Sequence, residues 1–190
     1  MRPELPRIIL NEVKGFTVDF YLQRLHDAIT IAIHGMTVED WARHPAGASP
    51  EKWCAAEVLE HLYLTYTDTI RGFERALNSG RPMASSPTLK QRVATALVVG
   101  LGHMPGGREA PERTRPRGTP AEKLIADIGS RIAAMDELIA RSEARHGKHT
   151  KLLDHPVLGP LTAKQWRKFH WVHGQHHVKQ IKKMCESRLA

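Results

Sequence analysis

Four segments of this 190-residue chain carry apolar residues at helical spacing, and none shows the alternation of a strand. Amphipathic helices with no sheet to cover bury their faces on one another, so this pattern constrains the fold most. The first segment runs from about Thr17 to Met36, with Phe20, Leu25, Ala28, Ile29, Ala32 and Ile33 on its stripe and Gly35 near its end. A turn region follows at Pro45, Gly47 and Pro50. The second runs from about Cys54 to Asn78. Val58, Leu62, Thr65 and Phe73 share its face, and Asn78, Ser79, Gly80 and Pro82 stop it. The third starts at Thr119 and Pro120, a cap with a first-turn proline. Leu124, Ile128, Ile132, Met135, Leu138 and Ile139 carry it to about Arg145. Residues 155–162, HPVLGPLT, lead into the fourth, which Thr162 caps and which ends near Cys185. The expected fold class is all-α, a four-helix bundle.

Between helices 2 and 3, from about 80 to 120, the chain changes character. Pro82, Pro87, Pro105, Pro111, Pro116 and Pro120 fall here, with a basic run at Arg113, Arg115 and Arg117 and room for a short helix from about Thr88 to Val99. Connections this long are often functional. This one supplies a long crossover and is placed to cover a site or contact a partner. Residues 1–190 are expected to form one domain, since a chain of this length buries a core without covalent staples.

Composition narrows the setting. Two cysteines, Cys54 and Cys185, are no disulfide framework and point to a reducing compartment. They lie at helix ends that adjoin if helices 2 and 4 run antiparallel, and the simplest expectation is two free thiols. The apolar patch at Ile8, Ile9 and Leu10 is too short for a signal-peptide core. The run from Ala94 to Gly102 is too short to span a bilayer. The expectation is a cytoplasmic protein with no membrane partner. The net charge is +8, and the stretch from Arg141 onward, with eleven Lys and Arg against three acids, equals that excess. A basic field attracts anions. No aromatic interleaving and no nucleic-acid module accompany it, so a solvated helix face is expected rather than a nucleic-acid partner.

Histidine is the informative residue type. The chain has twelve, and four lie between His170 and His177. At about 100° per residue, His173 and His177 stand about 40° apart on one face of the fourth helix. Trp166, Phe169, Gln180 and Met184 share that face, while Lys164, Arg167, Lys168, Lys179 and Lys182 fall far around it. Two imidazoles on successive turns can close on one ion at about 2.0–2.1 Å. A third ligand must come from another helix, and His61, beside Val58, Leu62 and Thr65, is the best candidate. The three rings share one level of the bundle if helices 2 and 4 are antiparallel. The bland reading is hydrogen-bonded core histidines. His170 and His176, about 60° to either side, are support for a site or surface groups. Glu57, one turn before His61, either orients that ring or is solvated.

The stretch from Trp53 through CAAEVLEHL to Leu62 resembles the second-helix motif of the DinB/YfiT-like superfamily of metalloenzymes. The ending, HPVLGPLTAKQWRKFHWVHGQHHVKQI, is similar to one uncharacterised DinB-like branch, through His155, Pro156, Gly159, Pro160, Leu161, Thr162, Trp166, His173, His177, Gln180 and Ile181. The resemblance implies a four-helix bundle of DinB/YfiT type with His61, His173 and His177 as a His₃ site for Zn²⁺ or Ni²⁺. It also implies a homodimer. Some members of the superfamily are transferases that use a low-molecular-weight thiol. The proline- and arginine-rich middle departs from the pattern.

Three imidazoles leave a position for water or substrate, the arrangement of catalytic zinc sites. There is no serine nucleophile elbow, glycine-rich phosphate loop, HExxH, or Glu-x-x-His pair of a di-iron bundle. Two readings follow. One is a metal-dependent transferase or hydrolase acting on a small molecule. The alternative is a non-catalytic metal-binding or dimeric interaction module.

Overall fold

A computed structural model describes residues 18–45, 52–107 and 109–186. The apolar patch at 8–10, the expected start at Thr17, and Gly47 and Pro50 lie outside them. The chain is mostly helical. Four long helices, α1 (Phe20–Ile33), α3 (Ala55–Asn78), α5 (Ala121–His146) and α6 (Ala163–Glu186), are joined by short α2 (Val38–Trp41) and α4 (Leu89–Thr95). A π-turn at Ala96–Gly100 and a 3-10 turn at Glu112–Thr114 complete the helical elements. Among the described residues, no helix is long and apolar enough to cross a membrane.

Helix directions follow from which side chains meet. Moving down α3, His61 meets His173, Thr69 meets His170, and Phe73 meets Trp166, so α3 and α6 are antiparallel. Glu60 meets Thr119 and Tyr63 meets Arg131, while Arg145 reaches the carbonyl of Leu77, so α3 and α5 are parallel. Arg24 lies over Trp171 and Leu25 packs at Gly174, so α1 runs with α6. The 80–120 connection therefore returns the chain to the level at which α3 began. The core between these helices includes fully buried Leu22, Leu25, Leu59, Tyr66, Phe73, Ile132 and Met135.

Several expectations need correction. Phe20 is exposed rather than on the buried stripe of α1. Thr119 does not cap α5; its hydroxyl is turned to Glu60, and Pro120 occupies the cap position without a side-chain bond. Arg167 is not on a solvated basic face. Its Nε lies 2.7 Å from Asp136 and its Nη1 2.7 Å from Glu143, and Asp136 also accepts from the backbone N–H of Asp19. That network ties α1, α5 and α6. Strands do occur: β1 (Leu153–His155) pairs antiparallel with β2 (Gly159–Leu161). Three residues per strand are too few to show an alternation. Thr162 does cap α6, exchanging bonds with Gln165 in a capping box.

Glycine at 174, inside a helix, has a packing reason. A Cβ there stands 2.1 Å from Leu25 Cδ1, so a side chain at 174 forces the buried Leu25 side chain to shift within the core. Gly174→Ala is expected to lower stability by about 1–3 kcal/mol in urea unfolding, against the gain that alanine brings to an open helix position.

Candidate metal centre

The antiparallel contact of α3 and α6 brings His61, His173 and His177 together, with one ligand nitrogen from each within 4.8 Å of the others. His173 Nε2 is 3.3 Å from His61 Nε2 and 3.0 Å from His177 Nε2. Two nitrogens on a tetrahedral ion at about 2.05 Å stand roughly 3.3 Å apart, so these spacings fit a shared ion.

The outer nitrogens decide which tautomer two of the rings adopt. His61 Nδ1 lies 2.8 Å from the carbonyl oxygen of Thr114, which can only accept, so Nδ1 carries the proton and Nε2 presents a lone pair. His177 Nδ1 lies 2.8 Å from Gln180 Oε1, with the same consequence. Histidine ligands are commonly oriented in this way by a carbonyl on the second nitrogen. His173 Nδ1 is buried with no partner, and the ring is stacked on Phe169 at 5.4 Å. Burial lowers the pKa of all three and their mutual repulsion lowers those of His173 and His177 further, that of His177 to about 3. The rings are thus neutral at pH 7, as ligands must be. Among the described residues no fourth His, Cys, Asp or Glu joins the group.

The chain belongs to the DUF1569 family. The family model, described as a protein of unknown function, matches residues 42–184, which takes in all three histidines and the elements that support them. No curated protein and no solved structure matches.

Support for the site comes from the 80–120 connection. Glu60, on α3 beside His61 and 2 % exposed, accepts from the N–H groups of Arg117, Gly118 and Thr119 and from the Thr119 hydroxyl. Burial pushes its carboxyl up, but those bonds to the anion outweigh it and hold the pKa below the usual value. The strap so anchored delivers the Thr114 carbonyl to His61. Spacing gave no signal for Glu60, because it sits one residue from a presumed ligand and reads as a solvated carboxylate. Thr114 acts through its backbone, which leaves no trace in residue type.

The other candidates separate. Glu57 does not orient His61; its carboxylate takes the N–H of Cys54 at 2.8 Å. His44, Cys54 and Glu57 also bring ligand atoms within 4.8 Å, but their polar atoms close the start of α3: Cys54 and Glu57 form a capping box, and His44 Nδ1 meets the Lys52 carbonyl at 2.6 Å. Cys54 and Cys185 are not joined in a disulfide. His176 is half-buried and shares the Gln180 amide. His170 is neither a surface group nor a neighbour of the three nitrogens. It is fully buried one turn along α6, with Nε2 3.2 Å from Thr69 Oγ1, whose own proton goes to the Thr65 carbonyl.

A cleft of about 1400 Å³ opens onto the three rings. Trp53, Phe169, the β1–β2 hairpin, the helical turns after Val93 and strap residues within 104–107 and 109–115 line it. The connection expected to cover a site thus forms two of its walls.

Two outcomes follow. Glu60→Ala leaves three N–H groups of the strap without their acceptor and is expected to cost about 2–3 kcal/mol in urea unfolding. Burial also drops the pKa of His170 to about 3, below its unfolded value, so between the two the unfolded chain holds a proton that the native state lacks. Stability then rises with pH. In metal-free protein, lowering the pH from 7 to 5 should cost the wild type about 2 kcal/mol more than His170→Leu, read from paired unfolding curves.

Proposed function

We propose that this chain is a metal-dependent enzyme of the DinB/YfiT-like superfamily, built as a single four-helix-bundle domain, in which His61, His173 and His177 hold one Zn²⁺ or Ni²⁺. A transferase or hydrolase acting on a small molecule is the activity this arrangement supports best. The observation that carries the reading is the convergence of three neutral Nε2 atoms at ion-sharing distance, with no fourth protein ligand among the described residues, beside an open cleft. A closed fourth position would favour a structural ion; an open one favours chemistry.

When bound, such an ion lowers the pKa of a coordinated water or thiol and polarises substrate oxygen. The protein's own contribution is positional. Thr114 and Gln180 fix the tautomers of His61 and His177, Trp53 packs on His61 at 5.0 Å, and Phe169 stacks on His173. A low-molecular-weight thiol as co-substrate and a homodimer belong to the same reading.

Tag-free protein is expected to carry about one Zn or Ni per chain by inductively coupled plasma mass spectrometry. His173→Ala/His177→Ala should lose it while keeping its helical circular dichroism. Glu60→Ala should weaken Zn²⁺ affinity about tenfold or more by releasing the strap behind His61. A wild type that takes up neither metal after reconstitution would sink the enzyme reading and leave a metal-free interaction module.

A further inference from the structure

His155 stands apart from the three clustered histidines and is set up for a different task. It ends β1 and lines the same cleft. Its Nδ1 lies 3.1 Å from the backbone N–H of Val157 and 3.1 Å from that of Leu158. Both groups can only donate, so Nδ1 is the bare nitrogen and the ring proton sits on Nε2. This is the reverse of the tautomer at His61 and His177. A protonated Nε2 offers no lone pair to an ion, so His155 is a donor and not a fourth ligand. Among the described residues Nε2–H has no hydrogen-bond partner, yet it is not a buried atom; it is open at the cleft wall.

The ring is held firmly. It packs on Phe169 at 4.3 Å and on Trp166 at 5.7 Å, and Phe169 in turn stacks on His173. One phenyl ring thus separates the donor from the three-histidine cluster. Burial, with the nearby charge of Arg113, lowers the pKa of His155 to about 4, so the donor is neutral and fixed across the physiological range. The surroundings favour an anion. Six cationic side chains line the cleft against three acidic ones, and those acids are engaged: Asp68 with Arg113, Glu109 with Arg115, and Asp154 with the N–H of Ser85. Lys90 and Arg75 line the cleft with no carboxylate partner among the described residues.

We infer that His155 donates its Nε2–H to an oxyanion of the ligand, so that the cleft takes a small carboxylate or phosphate whose apolar body lies along Phe169 toward the histidine cluster. The inference rests on the reading of this cleft as the substrate site. His155 is then a specificity-determining residue.

The two roles of the ring can be separated. Asparagine reproduces the Nδ1 acceptor for Val157 and Leu158 and removes the Nε2 donor; glutamine reaches the Nε2 position and gives up the turn acceptor. Benzoate and phenylphosphonate, with neutral benzamide as control, are titrated by calorimetry into wild type, His155→Asn and His155→Gln, each in Zn²⁺-loaded and chelator-treated form. The expected result is that at least one anion binds the wild type about tenfold tighter than benzamide and that His155→Asn loses about tenfold. His155→Gln should retain most of the affinity, and the dependence on residue 155 should persist without metal. Which anion binds better distinguishes carboxylate from phosphate. Nitrogen-15 NMR of the wild type should place the His155 proton on Nε2. Equal affinity in folded wild type and His155→Asn, no preference over benzamide, no binding at millimolar concentration, or a proton on Nδ1 each overturns the inference. Metal content, measured separately, reports on the three-histidine site whichever way this result falls.

Discussion

A neutral imidazole removed from water needs a partner for its N–H and something to face its lone pair, and the centre of this molecule is arranged around that requirement. His61 and His177 spend their protons outward, on the Thr114 carbonyl and the Gln180 amide, which turns two lone pairs inward onto the third ring. His173 Nε2 lies 3.3 Å from one of these atoms and 3.0 Å from the other, and with its Nδ1 unpartnered the ring is free to hold its proton on Nε2 and donate it to either lone pair. The antiparallel setting of α3 on α6 then has to hold, because sliding either helix by one turn separates the rings by about 5.4 Å.

Two devices keep that setting. One is the Arg167 network, which joins α6 to Asp136 and Glu143 of α5 and, through Asp136, to the start of α1. Removing one partner of such a pair leaves an uncompensated buried charge, so the network enforces one register. The other is the strap anchored by Glu60. It carries the chain across the open side of the helices and places a backbone carbonyl behind His61. A connection rich in proline suits this role, because it loses little entropy on ordering and needs few donors of its own.

The cleft joins two kinds of histidine environment. At one end two imidazoles present lone pairs to a third; at the other His155 presents a proton, and Phe169 lies between. The same residue type serves opposite purposes because the hairpin supplies two N–H groups where the strap supplies a carbonyl. Local backbone chemistry, not the side chain, assigns the task.

Much of this was legible in the sequence for a definite reason. Helical periodicity depends only on neighbours along the chain, so the long helices stand within a few residues of where Leu25, Val58, Ile132 and the Thr162 cap placed them, and the i, i+4 spacing alone set His173 and His177 on one face. That His61 joins them required a relation between helices, which spacing made consistent without choosing it. The directions of packing, the burial of Arg167 and His170, the three-residue strands and the roles of Glu60 and Thr114 were decided only by tertiary structure. Each depends on a partner tens of residues away, and hydrogen bonds to backbone carbonyls and N–H groups carry no mark in residue identity. A protein of this kind writes its helices in its sequence and its chemistry in which of its backbone groups happen to meet its histidines.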